Sequence, residues 1–131
     1  MRLLIDTNIV LEVLLEQSAA AEARDLLAKV NEHEFYISDF SVHSIGVLLF
    51  RQAKHDVFSE FLNDTLVRAG MALATLPADR MVTVVDVARR FRLDFDDAYQ
   101  YALARERGFT LVSFDRDFDR TEAGRRAPAS L

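Results

Sequence analysis

The sequence predicts an α/β fold, a three-layer α/β/α sandwich around a central parallel sheet, and three observations carry that expectation. Short apolar runs at Leu3 to Ile5, Phe35 to Ile37, Met71 to Leu76 and Phe109 to Val112 alternate with amphipathic helical stretches. The first, second and fourth runs end directly in polar or acidic residues that cap a helix or open a turn. The composition, half apolar over 131 residues with 16 Lys+Arg against 21 Asp+Glu and a net charge of −5, is that of one domain able to bury a core.

Taken in order, Leu3 to Ile5 leads through Asp6-Thr7-Asn8 into a helix over about Ile9 to Glu16. Ala23, Leu26, Leu27 and Val30 recur at spacings of three and four, which predicts a second helix over 19 to 32. Phe35-Tyr36-Ile37 is aromatic and β-branched, and Ser38-Asp39 caps the helix that follows. That helix, Phe40 to Gln52, is almost continuously apolar and reads as buried on most sides. Gly46 within it costs roughly 1 kcal/mol relative to alanine and so marks a close contact. Val57 to Ala69 is amphipathic and closed by Gly70, and Met71 to Leu76 is a third strand of weaker β preference. Pro77-Ala78-Asp79 opens a helix through about Arg90, and Asp94 caps a last one from Phe95 to Arg107, ended by Gly108. The domain then spans residues 1–120, and residues 121–131, small and polar around Gly124 and Pro128, form a loosely ordered tail.

Several function classes drop out. Without cysteine there is no disulfide framework and no thiolate chemistry. Glycines at 46, 70, 108 and 124 cannot form a phosphate-cradling loop, so no nucleotide cofactor is expected. No apolar run is long enough for a membrane span, and the start reaches Asp6 too soon for a secretory leader, so a cytoplasmic location is expected. The acidic total argues against a free-standing nucleic-acid binder. The cations, however, are arginines except for Lys29 and Lys54, and Arg116 and Arg120 stand beside an acidic turn, where they suit RNA phosphate contact.

Ligands of open parallel sheets bind beyond the carboxyl ends of the strands. Asp6 after the first strand, Asp97 in the first turn of the last helix, and Asp115 after the fourth strand occupy that edge. Asp6 also suits a helix cap, Asp97 a helix dipole, and Asp115 with Asp117 an ordinary turn. Converging carboxylates without histidine or cysteine select Mg²⁺ or Mn²⁺, which suits hydrolysis of a phosphodiester. A receiver-like phosphoacceptor domain is the remaining α/β reading, but it needs a late lysine and none follows Lys54.

Leu4-Ile5-Asp6-Thr7-Asn8, Asp97-Ala98 opening a helix that ends in Ala102-Leu103-Ala104, and Leu111-Val112-Ser113-Phe114-Asp115-Arg116-Asp117-Phe118, in this order, together resemble the PIN domain. The resemblance implies a Mg²⁺- or Mn²⁺-dependent ribonuclease, and at this size a VapC-like toxin of a type II toxin-antitoxin pair. It makes Asp6, Asp97 and Asp115 the catalytic, metal-holding carboxylates, with Asn8 and Ser113 in support and Asp117 outside them. It also implies an antitoxin that covers the groove with a basic side chain, and the apolar content of residues 40–53 leaves room for a homodimer contact. One position departs from the family pattern: the second acidic residue, usually a glutamate six places after a serine like Ser38, is Ser44 here. Asp39 lies five residues earlier, about 140° around a helix and ~7.5 Å along it. His43 is adjacent in sequence but about 100° away, and it reads as a buried, hydrogen-bonded histidine. The alternative function is therefore a PIN-like protein with weak or lost catalysis that binds RNA or a protein partner. Phe35, Phe50, Phe58, Phe61, Phe91, Phe95 and Phe109 read as core, leaving Phe114 and Phe118 as the aromatics placed to stack on a base.

Overall fold

A computed structural model describes residues 1–131 of the chain. Alternation along its first strand, β1 (Arg2–Ile5), sorts the molecule into layers: Leu3 and Ile5 enter one core and Leu4 enters another on the opposite face. β2 (Glu34–Ser38), β3 (Ala72–Ala74) and β4 (Thr110–Val112) complete a parallel four-stranded sheet in the order β3-β2-β1-β4. Leu4 is in register with Tyr36 on one side and Leu111 on the other.

One face packs against α1 (Thr7–Leu14), α2 (Ala20–Leu27), α3 (Asp39–Arg51) and α4 (His55–Phe61), which continues as a wider π-helical segment, Leu62–Arg68. Ile9, Leu26, Ile45 and Leu49 close that core over Leu3 and Ile5. The other face packs against α5 (Met81–Phe91), entered through a short 3-10 turn, and α6 (Phe95–Arg107), with Val84, Leu103 and Phe118 around Leu4 and Leu111. This is the predicted three-layer architecture. The chain moves outward from β1 to β3 and then returns to the far side of β1, so the β1–β4 junction is where the strand order reverses. Crevices in parallel sheets open at such junctions.

Three expectations change. α1 begins at Thr7 rather than Ile9 because Asp6 itself takes the cap position and accepts from the Thr7 N–H. α3 is not buried on most sides: Ser41, Ile45 and Leu49 point inward, while Val47 and Phe50 are about half exposed, at 51% and 55%. Gly46 does mark a close contact, since a Cβ there would meet Cζ of Phe58 at 3.0 Å. The segment 121–131, expected to be loose, is tied down. Arg126 extends the sheet beside β4 through backbone bonds with Leu111 and Ser113, and Pro128 is buried. The backbone N–H of Ala129 bonds the Glu22 carboxylate on α2, and Lys29 bonds the Leu131 carbonyl. A composition of small polar residues carries no sign of these long-range partners.

Candidate active site

The β1–β4 junction holds a cleft of about 210 Å³ lined by Asp6, Asn8, Ser44, Asp97, Gln100 and Asp115, among others. β1 delivers Asp6, the turn after β4 delivers Ser113 and Asp115, the first turns of α6 deliver Asp96, Asp97 and Gln100, and α3 delivers Ser44.

Asp6 is buried and held entirely by neutral donors. Its Oδ1 accepts from the Thr7 N–H at 2.8 Å and from Gln100 Nε2 at 3.1 Å, and its Oδ2 accepts from Ser113 Oγ at 2.6 Å. Burial raises the Asp6 pKa above the usual carboxylate range, and the bonds from Ser113, Gln100 and Thr7 pull in the opposite direction. Asn8 secures Ser113 in turn: its Nδ2 donates to Ser113 Oγ at 3.1 Å and its Oδ1 accepts from the Phe114 N–H at 3.3 Å. Ser113 Oγ also accepts from the Asp115 N–H, and Arg125 Nη1 donates to the Ser113 carbonyl at 3.0 Å.

Asp97 is in the opposite situation. Burial first, then the charges of Asp96, Asp115 and Asp6, and a hydrogen bond shared with Asp115 push its pKa up to about 8. One carboxylate oxygen each from Asp97, Asp115 and Asp117 lie within 4.8 Å of one another. Asp6 stands outside this closest trio but near enough for its charge to be felt at Asp97. Asp117 is exposed, lies 3.5 Å from Arg120, and donates its N–H to Asp115 Oδ1. The donor set fits a hard divalent cation: it is all oxygen, its negative charge is met only at Asp117 by Arg120, and one buried acceptor, Gln100 Oε1, has no partner.

The structure separates the predicted residues into those gathered and those engaged elsewhere. Ser44 does line the cleft, with a hydroxyl where the family pattern has a carboxylate. Asp39 does not replace it, because Tyr99 Oη donates to Asp39 Oδ1 at 2.6 Å. Burial first, and then that bond, push the Tyr99 pKa up to about 12. His43 is exposed rather than buried and lines a separate groove on the far side of α3. Arg120 is spent on the end of α5: Nε donates to the Phe91 carbonyl at 3.2 Å and Nη2 to the Arg92 carbonyl at 2.7 Å. Arg116 is exposed. Phe118 is fully buried, so it has no face for a base. Phe95, read as core, is instead 53% exposed at the start of α6, with its ring centroid 5.9 Å from that of Phe40 in the cleft wall.

Sequence reasoning missed Gln100, Thr7 and Ser41. The signal for Gln100 was present, since it is the one amide in a run, Ala98 to Ala104, that is otherwise apolar apart from two tyrosine hydroxyls and is buried throughout. The Thr7–Ser41 bond spans 34 positions and has no local signature.

A model of the PIN domain matches residues 3–124, and the chain belongs to the PIN domain family. Members of that family are generally nucleases that use divalent metals. A search of curated protein sequences returned no match. Solved structures share the fold at low identity, among them the following three. VapC20 from Mycobacterium tuberculosis, described as a sarcin-ricin loop cleaving toxin, is 20% identical, with a TM-score of 0.74 over 89% of this chain and 92% of that one. VapBC2 from Rickettsia felis, solved on a DNA fragment from its promoter, is 16% identical, with a TM-score of 0.75 over 97% and 98%. A toxin-antitoxin complex from Klebsiella pneumoniae is 19% identical, with a TM-score of 0.71 over 95% and 96%. No helix of this chain is long and apolar enough to cross a membrane.

Proposed function

We propose that this chain is a divalent-metal-dependent ribonuclease, the toxin of a type II toxin-antitoxin pair, hydrolysing RNA phosphodiesters in the cytoplasm. The observation that carries the reading is the convergence of Asp97 and Asp115 on Asp6 at the strand-order reversal, with no cationic side chain lining the cleft. A bound Mg²⁺ or Mn²⁺ supplies an acidified water and a counter-charge for phosphoryl oxygens. Asp97 and Asp115 hold the ion, and Asp6, fixed by Ser113, Gln100 and Thr7, completes its negative surroundings. Asn8 and Ser113 keep Asp6 and the Asp115 turn in register with each other. Asp117 is the exposed member of the closest trio, and exposed Arg116 beside it is the arginine free to meet an RNA phosphate.

An antitoxin that lays a basic side chain among the carboxylates suits the charge of the cleft. The half-exposed face of α3, with Val47 and Phe50 on a groove of about 520 Å³, supports a homodimer contact. Ser44 favours a second reading, a PIN-domain protein that binds RNA with weak or lost cleavage.

Incubation with total RNA in Mn²⁺ tests both. Cleavage that stops with chelator and in Asp97→Asn, and rises in Ser44→Glu, is the expected result. Retention of RNA without cleavage, with cutting restored by Ser44→Glu, moves the protein to the second reading. Neither binding nor cleavage sinks both.

A further inference from the structure

Gln100 sits on α6 one turn after Asp97, is 1% exposed, and lines the same cleft. Its Nε2 donates to Asp6 Oδ1 at 3.1 Å and to Ser41 Oγ at 2.6 Å. The amide cannot be turned around without setting its oxygen against the Asp6 carboxylate, so the carboxylate fixes which end is nitrogen. Oε1 is left buried and bonded to nothing. A buried acceptor without a donor is costly to leave unmade, which invites a partner from outside the chain.

We propose that Gln100 Oε1 is an oxygen ligand of the divalent ion in this chain, taking over from α6 the ligand position that Ser44 leaves without charge on α3. The inference rests on the metal-dependent reading above. A closed, unpartnered oxygen suits a small cation better than water. An ion sits about 2.1 Å from its oxygens, whereas a water needs ~2.8 Å and room of its own. The neutral amide also suits its position: Asp6, Asp97 and Asp115 already repel one another, and an amide oxygen adds a donor without a further charge. The Nε2 bonds to Asp6 and Ser41 hold the amide plane, as ligands in metal sites are held by partners behind them.

Mn²⁺ titration calorimetry, with thermal melts of the metal-free proteins, tests the assignment. Gln100→Leu is expected to weaken Mn²⁺ binding by about tenfold or more, and Gln100→Glu, which keeps the oxygen and adds charge, to tighten it. Adding Ser44→Glu to Gln100→Leu is expected to restore binding, because a carboxylate then returns to the cleft from α3. In either role Gln100→Glu sets a second carboxylate oxygen against Asp6 and lowers the metal-free melting point; where Gln100 has a packing role alone, the substitution also weakens Mn²⁺ binding. That result overturns the proposal, as does wild-type affinity in a folded Gln100→Leu. If Gln100→Leu does not fold, the direction of change in Gln100→Glu decides. Wild-type protein that binds Mn²⁺ no better than Asp97→Asn overturns the metal-dependent reading and this inference with it. Asp97-dependent binding that ignores Gln100 overturns the inference alone.

Discussion

At the β1 end of the cleft Asp6 is buried among three neutral donors, whereas at the α6 end Asp97 is half-buried among Asp96 and Asp115. Both carboxyl pKa values are raised, and for both the largest cause is burial. What differs is the compensation. Hydrogen bonds work against the rise at Asp6, while every further contribution at Asp97 adds to it. One end of the cleft is therefore finished within the protein, and the other is completed only by positive charge from outside.

The largest effect expected from this contrast is on stability. Asp6→Ala leaves the Ser113 hydroxyl and the Thr7 N–H without this acceptor and takes from the Gln100 amide one of its two, a loss of about 3 kcal/mol in denaturant unfolding. Asp97→Asn removes a charge that its neighbours oppose, so the metal-free protein should be at least as stable as wild type at pH 8. Equal losses in the two variants would break the contrast and make both carboxylates simple structural anchors.

The pH dependence sharpens the same point. The folded pKa of Asp97, about 8, lies above its ordinary 3.8, so between those values the folded state holds a proton that the unfolded state has released. The contribution of this group is fully present below about pH 4 and is lost as the pH rises through about 8. Metal-free wild type should therefore gain in melting temperature, relative to Asp97→Asn, as the pH falls from 8 toward 5. Parallel curves for the two proteins would remove Asp97 as the strained group. Mn²⁺ at pH 8 should reverse the loss in wild type, and a chelator should bring it back.

The contrast also explains what could be read in the sequence. Asp6 and Asp115 were legible because strand ends in a parallel sheet place them by period and topology, whereas Ser113 entered through the family resemblance. α6 was legible to its last residue because Asp94 and Gly108 mark both ends. The compensation was not legible. Whether Gln100 reaches Asp6, Tyr99 captures Asp39, or Arg120 closes α5 depends on pairs 94, 60 and 28–29 positions apart. The tail failed for the same reason, since Arg126 and Ala129 are ordered by β4 and α2 rather than by their own composition. Phe50 and Phe95 were misplaced because helical spacing identifies an apolar stripe, not whether another layer covers it.

A smaller effect tests whether Asp39 belongs to the cleft. Tyr99→Phe removes the bond to Asp39 and the one its Oη accepts from the Leu76 N–H, at a cost of about 1–2 kcal/mol in unfolding. Because Asp39 is held away from the carboxylates, Mn²⁺ affinity should not change. Tighter binding in Tyr99→Phe would show a freed Asp39 taking the place of the missing glutamate, and the contrast between the two ends of the cleft would then need a third carboxylate.

The smallest effect concerns the rim. Phe95 exposes half its ring beside Phe40, which lines the cleft, so it offers a stacking face at the end where the charge is unfinished. Base stacking on an exposed aromatic contributes about 1–3 kcal/mol, and a partly shared face belongs at the low end. Phe95→Ala should weaken the binding of a single-stranded RNA by several-fold in a fluorescence anisotropy titration, and Phe95→Tyr should retain it. Mn²⁺ affinity should be the same in all three proteins, because Phe95 supplies none of the hydrogen bonds that hold Asp6 and Asp115. RNA binding that survives Phe95→Ala would assign the exposed ring to a protein contact and leave the acidic cleft to bind RNA through its backbone alone.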